Sequence, residues 1–334
     1  MNKIEKILAE TKYHVDSEIE KHIPKKGQPQ ALFNACWDAI GSGGKRLRPA
    51  LIAITCQAFG GKPVDTYPAG AALEIAHNFL LIHDDIEDSS LLRRGKPAIY
   101  LKYGLAQGIN VGDYLFAKSF KVLASGYKRW GSDKFFKVYE LLNEMFTVTA
   151  EGQALELESR IKNLNSANLF WYENMALKKT GYYTGGTPCA IGAVIAGASE
   201  KEINAVSDFG LAIGLAFQIQ DDILNLISQN GKYGKDFAGD LEEGKRTLMV
   251  VHFLENAKEK DISFFNSSFA KKMGLKSKRR LISLMESYGS IDFAKSYASE
   301  KVKKAKLVLK KNVKNSSGLK KLDVIADFFI ERGF

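Results

Sequence analysis

AGAALEIAHNFLLIHDDIED, residues 69–88, is an apolar run that closes on Asp84, Asp85, Glu87 and Asp88. It is too long for a strand and shows no alternation, so it reads as a buried helix. Gly60-Gly61 and the stretch from Pro63 to Pro68 mark a loop before it, and Gly95-Lys96-Pro97 stops it. A second apolar segment of the same kind spans 199–227. Ser199 with Glu202 three residues on forms a capping box that opens it. Near its end, Gln218-Ile219-Gln220-Asp221-Asp222-Ile223-Leu224-Asn225 resembles Leu81-Ile82-His83-Asp84-Asp85-Ile86-Glu87-Asp88. Helical periodicity recurs almost everywhere else. Ile4, Ile7, Leu8, Val15, Ile19 and Ile23 share a face over 2–23, and further helices are expected over 110–125, 133–160, 168–180 and 187–198. Strand signals are few and no linker divides the chain. The expectation is an all-α protein, one helical bundle over 1–334.

Composition narrows the function classes. Of 334 residues 45% are hydrophobic, enough for a large core. The longest apolar stretch, Cys189 to Ala198, is far below the ~20 residues that span a bilayer. Met1 to Glu10 alternates charge with aliphatics and is no signal peptide. A cytoplasmic location follows as the default expectation. Cys36, Cys56 and Cys189 have no metal or disulfide spacing and read as small buried residues. The formal charge of +10 is uneven: 18 Lys/Arg against 5 Asp/Glu between Lys258 and Lys321 make +13, leaving 10 − 13 = −3 elsewhere. A uniformly basic nucleic-acid binder would not show this distribution. Periodic Val302, Ala305, Val308 and Leu309 make that segment helices with a solvated face, a weak membrane-surface contact being the competing reading.

On a helix Asp84 and Asp88 are one turn apart on one face, as are Asp221 and Asn225. Carboxylates at the end of a buried helix repel one another and are costly to desolvate. A hard divalent cation removes that cost, and Mg²⁺ usually completes its oxygen shell with water and substrate phosphate. Two such clusters facing one another would clamp a diphosphate through several ions. Asp85 and Asp222 point about 100° away from their neighbours and rank below Asp84, Asp88 and Asp221 as ligands. Cations that would meet a diphosphate recur around both helices: Gly43-Gly44-Lys45-Arg46-Leu47-Arg48-Pro49, Arg93-Arg94-Gly95, Lys178-Lys179-Thr180-Gly181, Lys235 and Lys245-Arg246.

In these motifs and their order, over essentially the whole chain, the sequence resembles the trans-type isoprenyl diphosphate synthases, the polyprenyl synthetase group that contains farnesyl and geranylgeranyl diphosphate synthases. The resemblance runs through GGKRLRP (43–49), His77, LIHDDIEDSSLLRRGKP (81–97), KTG (179–181), FQIQDDILN (217–225), GKDFAGD (234–240) and EGKRT (243–247). It implies an isoprenoid synthase fold, a bundle around a central cavity, with two to three Mg²⁺ ions per site. By position, Asp84, Asp88 and Asp221 look like magnesium ligands, with Asp85, Asp222 and Asp240 acting through water or as supports. Arg93, Lys179, Lys235 and Gln218 look like allylic-diphosphate contacts, with Lys245 among the substrate-binding cations. Gly44, Lys45, Arg48, His77 and Arg94 resemble the isopentenyl diphosphate pocket. Lys179, Thr180 and Gln218 sit where the family steadies the allylic cation. Asn225 departs from an aspartate-ended second motif, and Arg332 is a weak further candidate. The family is typically homodimeric.

The family reaction ionises an allylic diphosphate and joins it to isopentenyl diphosphate. Phe79, five residues and roughly 7.5 Å above Asp84 at 1.5 Å per residue, would floor the product channel, with Leu80 beside it. An aromatic followed by Leu80, with no insertion in DDIED, resembles the archaeal geranylgeranyl synthases; farnesyl is the alternative product. A terpene cyclase would lack the second aspartate pair, and a non-catalytic partner subunit would lack one motif. The glycine-rich stretch 228–246 is expected to be a mobile loop that closes on substrate.

Overall fold

The computed structural model describes residues 3–161, 167–227, 237–313 and 316–330. Helices α1 (Lys3–His22), α2 (Gln30–Ile40), α3 (Leu47–Ala58) and α4 (Tyr67–Glu87) form the N-terminal half of the bundle. A short hairpin, β1 (Leu92–Arg93) paired antiparallel with β2 (Lys96–Pro97), follows. Next come α5 (Ile99–Tyr103), α6 (Leu105–Ala124) and α7 (Tyr127–Ile161), which is broken at Gly131. Helix α8 (Leu169–Ala176) continues as a π-helical turn over Leu177–Gly186, then α9 (Thr187–Ala196) and α10 (Glu200–Ile227). The chain ends with α11 (Gly239–Glu243), α12 (Leu248–Asn256), α13 (Glu259–Ser268), α14 (Leu275–Ser287), α15 (Ser290–Asn312) and α16 (Ser316–Ile330).

The two apolar segments behave as their sequences demand. From Pro68 to Asn78, every residue of α4 is buried, because α1, α3 and α6 cover it on several sides. Helix α10 is equally enclosed, by the π turn, α9, α15 and α16. At its start the backbone N–H and hydroxyl of Ser199 both donate to Glu202, at 2.9 and 2.7 Å, so the expected cap is present. The buried side chains form one contiguous core running from α1 to α16.

Three sequence expectations change. The helix expected over 168–180 ends at Ala176 and passes into the π turn. The helix expected over 110–125 starts at Leu105. The chain also contains the hairpin, which no strand signal announced. Its turn residues Arg94 (φ 55°) and Gly95 (φ 74°) both lie in the left-handed region, the requirement of a two-residue type I′ loop. All three cysteines are free and buried, and burial pushes the three thiols up to about 12.

Candidate active site

The end of α4 presents its carboxylates in two directions. Asp84 is half-buried, whereas Asp85 points inward and is buried. Asp88 caps the helix, its N–H donating to the Asp84 carbonyl at 2.8 Å, so Asp84 and Asp88 stay one turn apart. The hairpin folds back on this end. Arg93, just before the turn, donates to Asp84 at 2.9 Å and to Asp85 at 2.5 and 2.8 Å. Burial alone would lower the Arg93 pKa, yet Asp84 and Asp85 overrule it and raise it.

Six and five residues before the end of α10, Asp221 is half-buried and Asp222 fully buried. Tyr172 of α8 donates its hydroxyl to Asp222 at 3.0 Å and Gln218 its amide at 2.6 Å; Thr180 donates to Gln218 at 2.5 Å. Burial first, then the Asp240 carboxylate, push Asp222 well above the ordinary aspartate range against these hydrogen bonds. Thr180 reaches Gln218 because α10 and the π turn cross on glycine. A Cβ on Gly210 would lie 2.3 Å from the Gly185 carbonyl oxygen, and one on Gly185 1.9 Å from that of Gly210. Asn225 accepts the Asp240 N–H at 3.2 Å on its side chain and the Ala238 N–H at 2.9 Å on its carbonyl. It therefore ties down the segment after the helix.

Ion pairs tie the end of α4 to α7, the π turn and α11, and hydrogen bonds carry the connection on to α10. Lys179 lies 2.5 Å from Glu156 of α7 and 3.4 Å from Asp84, while its neighbour Thr180 leads to Asp222. Lys245 lies 2.8 Å from Asp88, 3.4 Å from Asp240 and 2.6 Å from Glu243. Arg160 joins Asp88 at 2.7 Å to Glu156. Burial would raise the Glu156 pKa, but Lys179, Lys245 and Arg160 hold it down at about 2; burial would lower those of Lys179 and Lys245, and the carboxylates raise both.

Sequence reasoning missed Glu156, Arg160 and Tyr172. A signal for Glu156 was present: Leu142, Met145, Thr149, Gly152, Glu156 and Ser159 repeat at three- and four-residue steps, and all are buried. A carboxylate on a helix's buried stripe needs a partner. Gly152 lets α7 approach closely enough to provide one, since a Cβ there would lie 2.2 Å from the Lys179 backbone nitrogen.

The acidic groups are all oxygen donors, as a hard cation requires. Among the described residues no three His, Cys, Asp or Glu side chains converge closely enough to enclose a metal. The protein thus offers a partial shell, which suits an ion that takes its remaining oxygens from a phosphate and water.

A second basic cluster lies beside this one. Gly43 (φ 114°), Gly44 (φ 120°) and Arg46 (φ 52°) turn the chain into α3. Arg94 donates to the Gly43 carbonyl at 2.5 Å and to Ser42 at 3.1 Å. Arg48 is buried, donates to Thr184 at 2.8 Å and lies over the Tyr183 ring at 4.4 Å. His77 stacks on the same ring at 5.8 Å. Burial, then the charges of Arg48 and Arg94, hold the His77 pKa well below its ordinary value. Lys45 is exposed and lies over Phe328 of α16 at 5.0 Å. Arg46, by contrast, is consumed by Asp16 at 2.7 Å and Glu74 at 2.8 Å.

Phe79 and Leu80 are half-buried above the first aspartates. Phe79 packs on Phe116 at 5.2 Å and Phe146 at 6.0 Å, which are 4.8 Å from each other. Lys235 and Arg332 lie outside the described residues, as do 228–236 of the expected loop. Its remainder is no loose strand: it folds into α11, which contains the buried Asp240, and Arg246 just beyond it is buried too.

The sequence profile described as polyprenyl synthetase matches residues 29–285. The chain is 36% identical over 325 residues to the geranylgeranyl diphosphate synthase of Sulfolobus acidocaldarius, covering 95% of this chain and 94% of that one. It is 32% identical to the geranylfarnesyl diphosphate synthase of Aeropyrum pernix, over 91% of this chain and 95% of the other. The crystal structure of geranylgeranyl pyrophosphate synthetase from Pyrococcus horikoshii superposes with a TM-score of 0.90 at 35% identity, covering 99% and 100% of the two chains. With two acidic helix ends brought into one connected cluster, and with these likenesses spanning nearly its full length, the chain belongs to the polyprenyl synthetase family and is a prenyltransferase.

Proposed function

We propose that this prenyltransferase joins isopentenyl diphosphate to the allylic diphosphates dimethylallyl, geranyl and farnesyl diphosphate, with geranylgeranyl diphosphate as its main product. The observation that carries the reading is the pair of connections from the end of α4 to α10: Asp84–Lys179 with Thr180–Gln218–Asp222, and Asp88–Lys245–Asp240, whose N–H is held by Asn225. Asp84, Asp88 and Asp221 would hold the magnesium ions, Asp85 and Asp222 supporting them from the buried side. Bound magnesium neutralises charge on the leaving diphosphate.

The rest is work for the chain's own groups. Arg93, Lys179 and Lys245 are cations poised over the carboxylates; once those ligate metal, the cations are free to meet phosphate oxygens. That is stabilisation aimed at charge that develops as the allylic C–O bond breaks. Thr180 and Gln218, held in one hydrogen-bonded line from Tyr172, turn oxygen dipoles toward the cation left behind. Lys45, Arg48 and Arg94 suit the diphosphate of isopentenyl diphosphate. His77, kept neutral among the arginines, adds a ring to the pocket wall without adding charge. Attack of the isopentenyl double bond forms the new C–C bond, and loss of a proton to the departed diphosphate completes the product. The apolar faces of α4 and α10 exclude water that would quench the cation.

Phe79, backed by Phe116 and Phe146, sets where the growing chain stops. Relatives named for geranylgeranyl and for geranylfarnesyl diphosphate support C20 over the farnesyl alternative. Two copies are proposed to pair through α6 and α7, whose Leu105, Ile109, Phe116, Phe136 and Tyr139 are exposed. Incubation with isopentenyl diphosphate and each primer, with magnesium or with EDTA, followed by product chromatography, tests the function. Elongation to C20 with magnesium and none with EDTA is expected; no magnesium-dependent elongation overturns it.

A further inference from the structure

Helix α7 brings a charge pair to the site that no motif above contains. Arg160 sits one turn after Glu156 and spreads its fork between two helices: Nη1 donates to Asp88 Oδ1 at 2.7 Å and Nη2 to Glu156 Oε2. Its Nε is buried and has no hydrogen-bond partner among the described residues. Asp88 has 2% of its side chain exposed, and its other oxygen, Oδ2, accepts from Lys245 at 2.8 Å. Both oxygens of a carboxylate proposed as a metal ligand are thus bound by cations.

These two cations are not equivalent. Lys245 keeps Asp240 at 3.4 Å and Glu243 at 2.6 Å when it leaves Asp88. The other partner of Arg160 is Glu156, whose Oε2 is already shared with Lys179 at 2.5 Å. When Asp88 turns an oxygen to a divalent cation, Arg160 loses half of its compensation and retains a free N–H. A diphosphate arriving with that cation, at the carboxylates Lys179 also touches, is the anion within reach that restores it. A guanidinium fork matches two phosphate oxygens, where an ammonium acts as a point charge.

We infer that Arg160 is a further contact to the diphosphate of the allylic substrate, paired with Asp88 before binding and turned onto the leaving group afterwards. This rests on the prenyltransferase reading above. It also explains why Glu156 is buried between Arg160 and Lys179: one carboxylate holds both cations at the mouth of the same anion site.

Inorganic pyrophosphate with saturating magnesium is the probe, titrated calorimetrically into wild type, Arg160→Gln and Arg160→Lys. Loss of a charge-assisted contact predicts binding weaker by about ten- to a hundredfold in Arg160→Gln, with Arg160→Lys in between. The KM for the allylic diphosphate should rise in step, and the KM for isopentenyl diphosphate should not. If Arg160 only neutralises Asp88, Arg160→Gln binds pyrophosphate as wild type does, and the inference falls. Arg160→Lys preserves the charge on Asp88, so it reports on the fork even if the glutamine variant fails to fold; wild-type affinity in that variant alone then overturns the inference. A wild-type protein that binds no magnesium pyrophosphate overturns the prenyltransferase reading, and this inference with it.

Discussion

His77 shows how a single side chain is set by its surroundings. It is buried beside Arg48, Arg94, Arg93 and Arg46, and both burial and those charges disfavour its protonated form. Its folded pKa is therefore below its unfolded one, and on acidification the unfolded chain takes up a proton that the folded chain refuses. Stability from this residue is present above the unfolded value and is lost as pH falls through it. Between pH 7.5 and 5.5, His77→Asn should lose fewer degrees of melting temperature than wild type. An equal loss in both would show that His77 accepts its proton in the folded state. The aspartate pairs follow the same logic of orientation. Asp84 and Asp221 stay half-exposed on the site, while Asp85 and Asp222, one residue on and about 100° around the helix, turn to Arg93 and to Tyr172 and Gln218.

At the scale of elements, the crossing of α10 with the π turn decides whether Thr180 meets Gln218. The Gly210 and Gly185 backbones touch, and no side chain fits between them. Gly210→Ala should cost about 2 kcal/mol or more by overpacking, seen as a lower denaturation midpoint, with kcat falling because the Thr180–Gln218 bond is spread. A variant as stable and active as wild type would mean that the crossing relaxes freely. The meeting of α4, α6 and α7 is where product length is proposed to be set. Phe79 is backed by Phe116 and Phe146 rather than by a void. Phe79→Ala should therefore lengthen the product, but by one isoprene unit more readily than by several. An unchanged product distribution would remove Phe79 from the channel floor.

For the whole molecule, the exposed apolar residues of α6 and α7 and the basic helices α14 and α15 are the two surfaces that stand out. Light scattering should give twice the chain mass, and Ile109→Glu, a charge set into the α6 face, should shift it toward the monomer; a monomeric wild type would sink the pairing proposed through that face. Helix α15 is solvated on its basic face: Val302 and Leu309 are buried and Ala305 half-buried, while Lys303, Lys304, Lys310 and Lys311 are exposed; Val308, expected on the apolar face, is exposed as well. No helix of the described residues is long and apolar enough to cross a membrane. Much of this was legible in the residues from 69 to 88 and from 199 to 227. Their length and predominantly apolar character, without strand alternation, leave a buried helix as the way to satisfy the backbone, and the acidic ends on them point to the proposed cation and phosphate site. That is local information, held in spacing. What the spacing could not contain was which groups meet across the bundle. Arg160 lies 72 residues from Asp88, Tyr172 lies 50 from Asp222, and Lys245 lies 157 from Asp88. Those meetings depend on glycine contacts and helix packing, and only the tertiary structure brings them to hydrogen-bond distance.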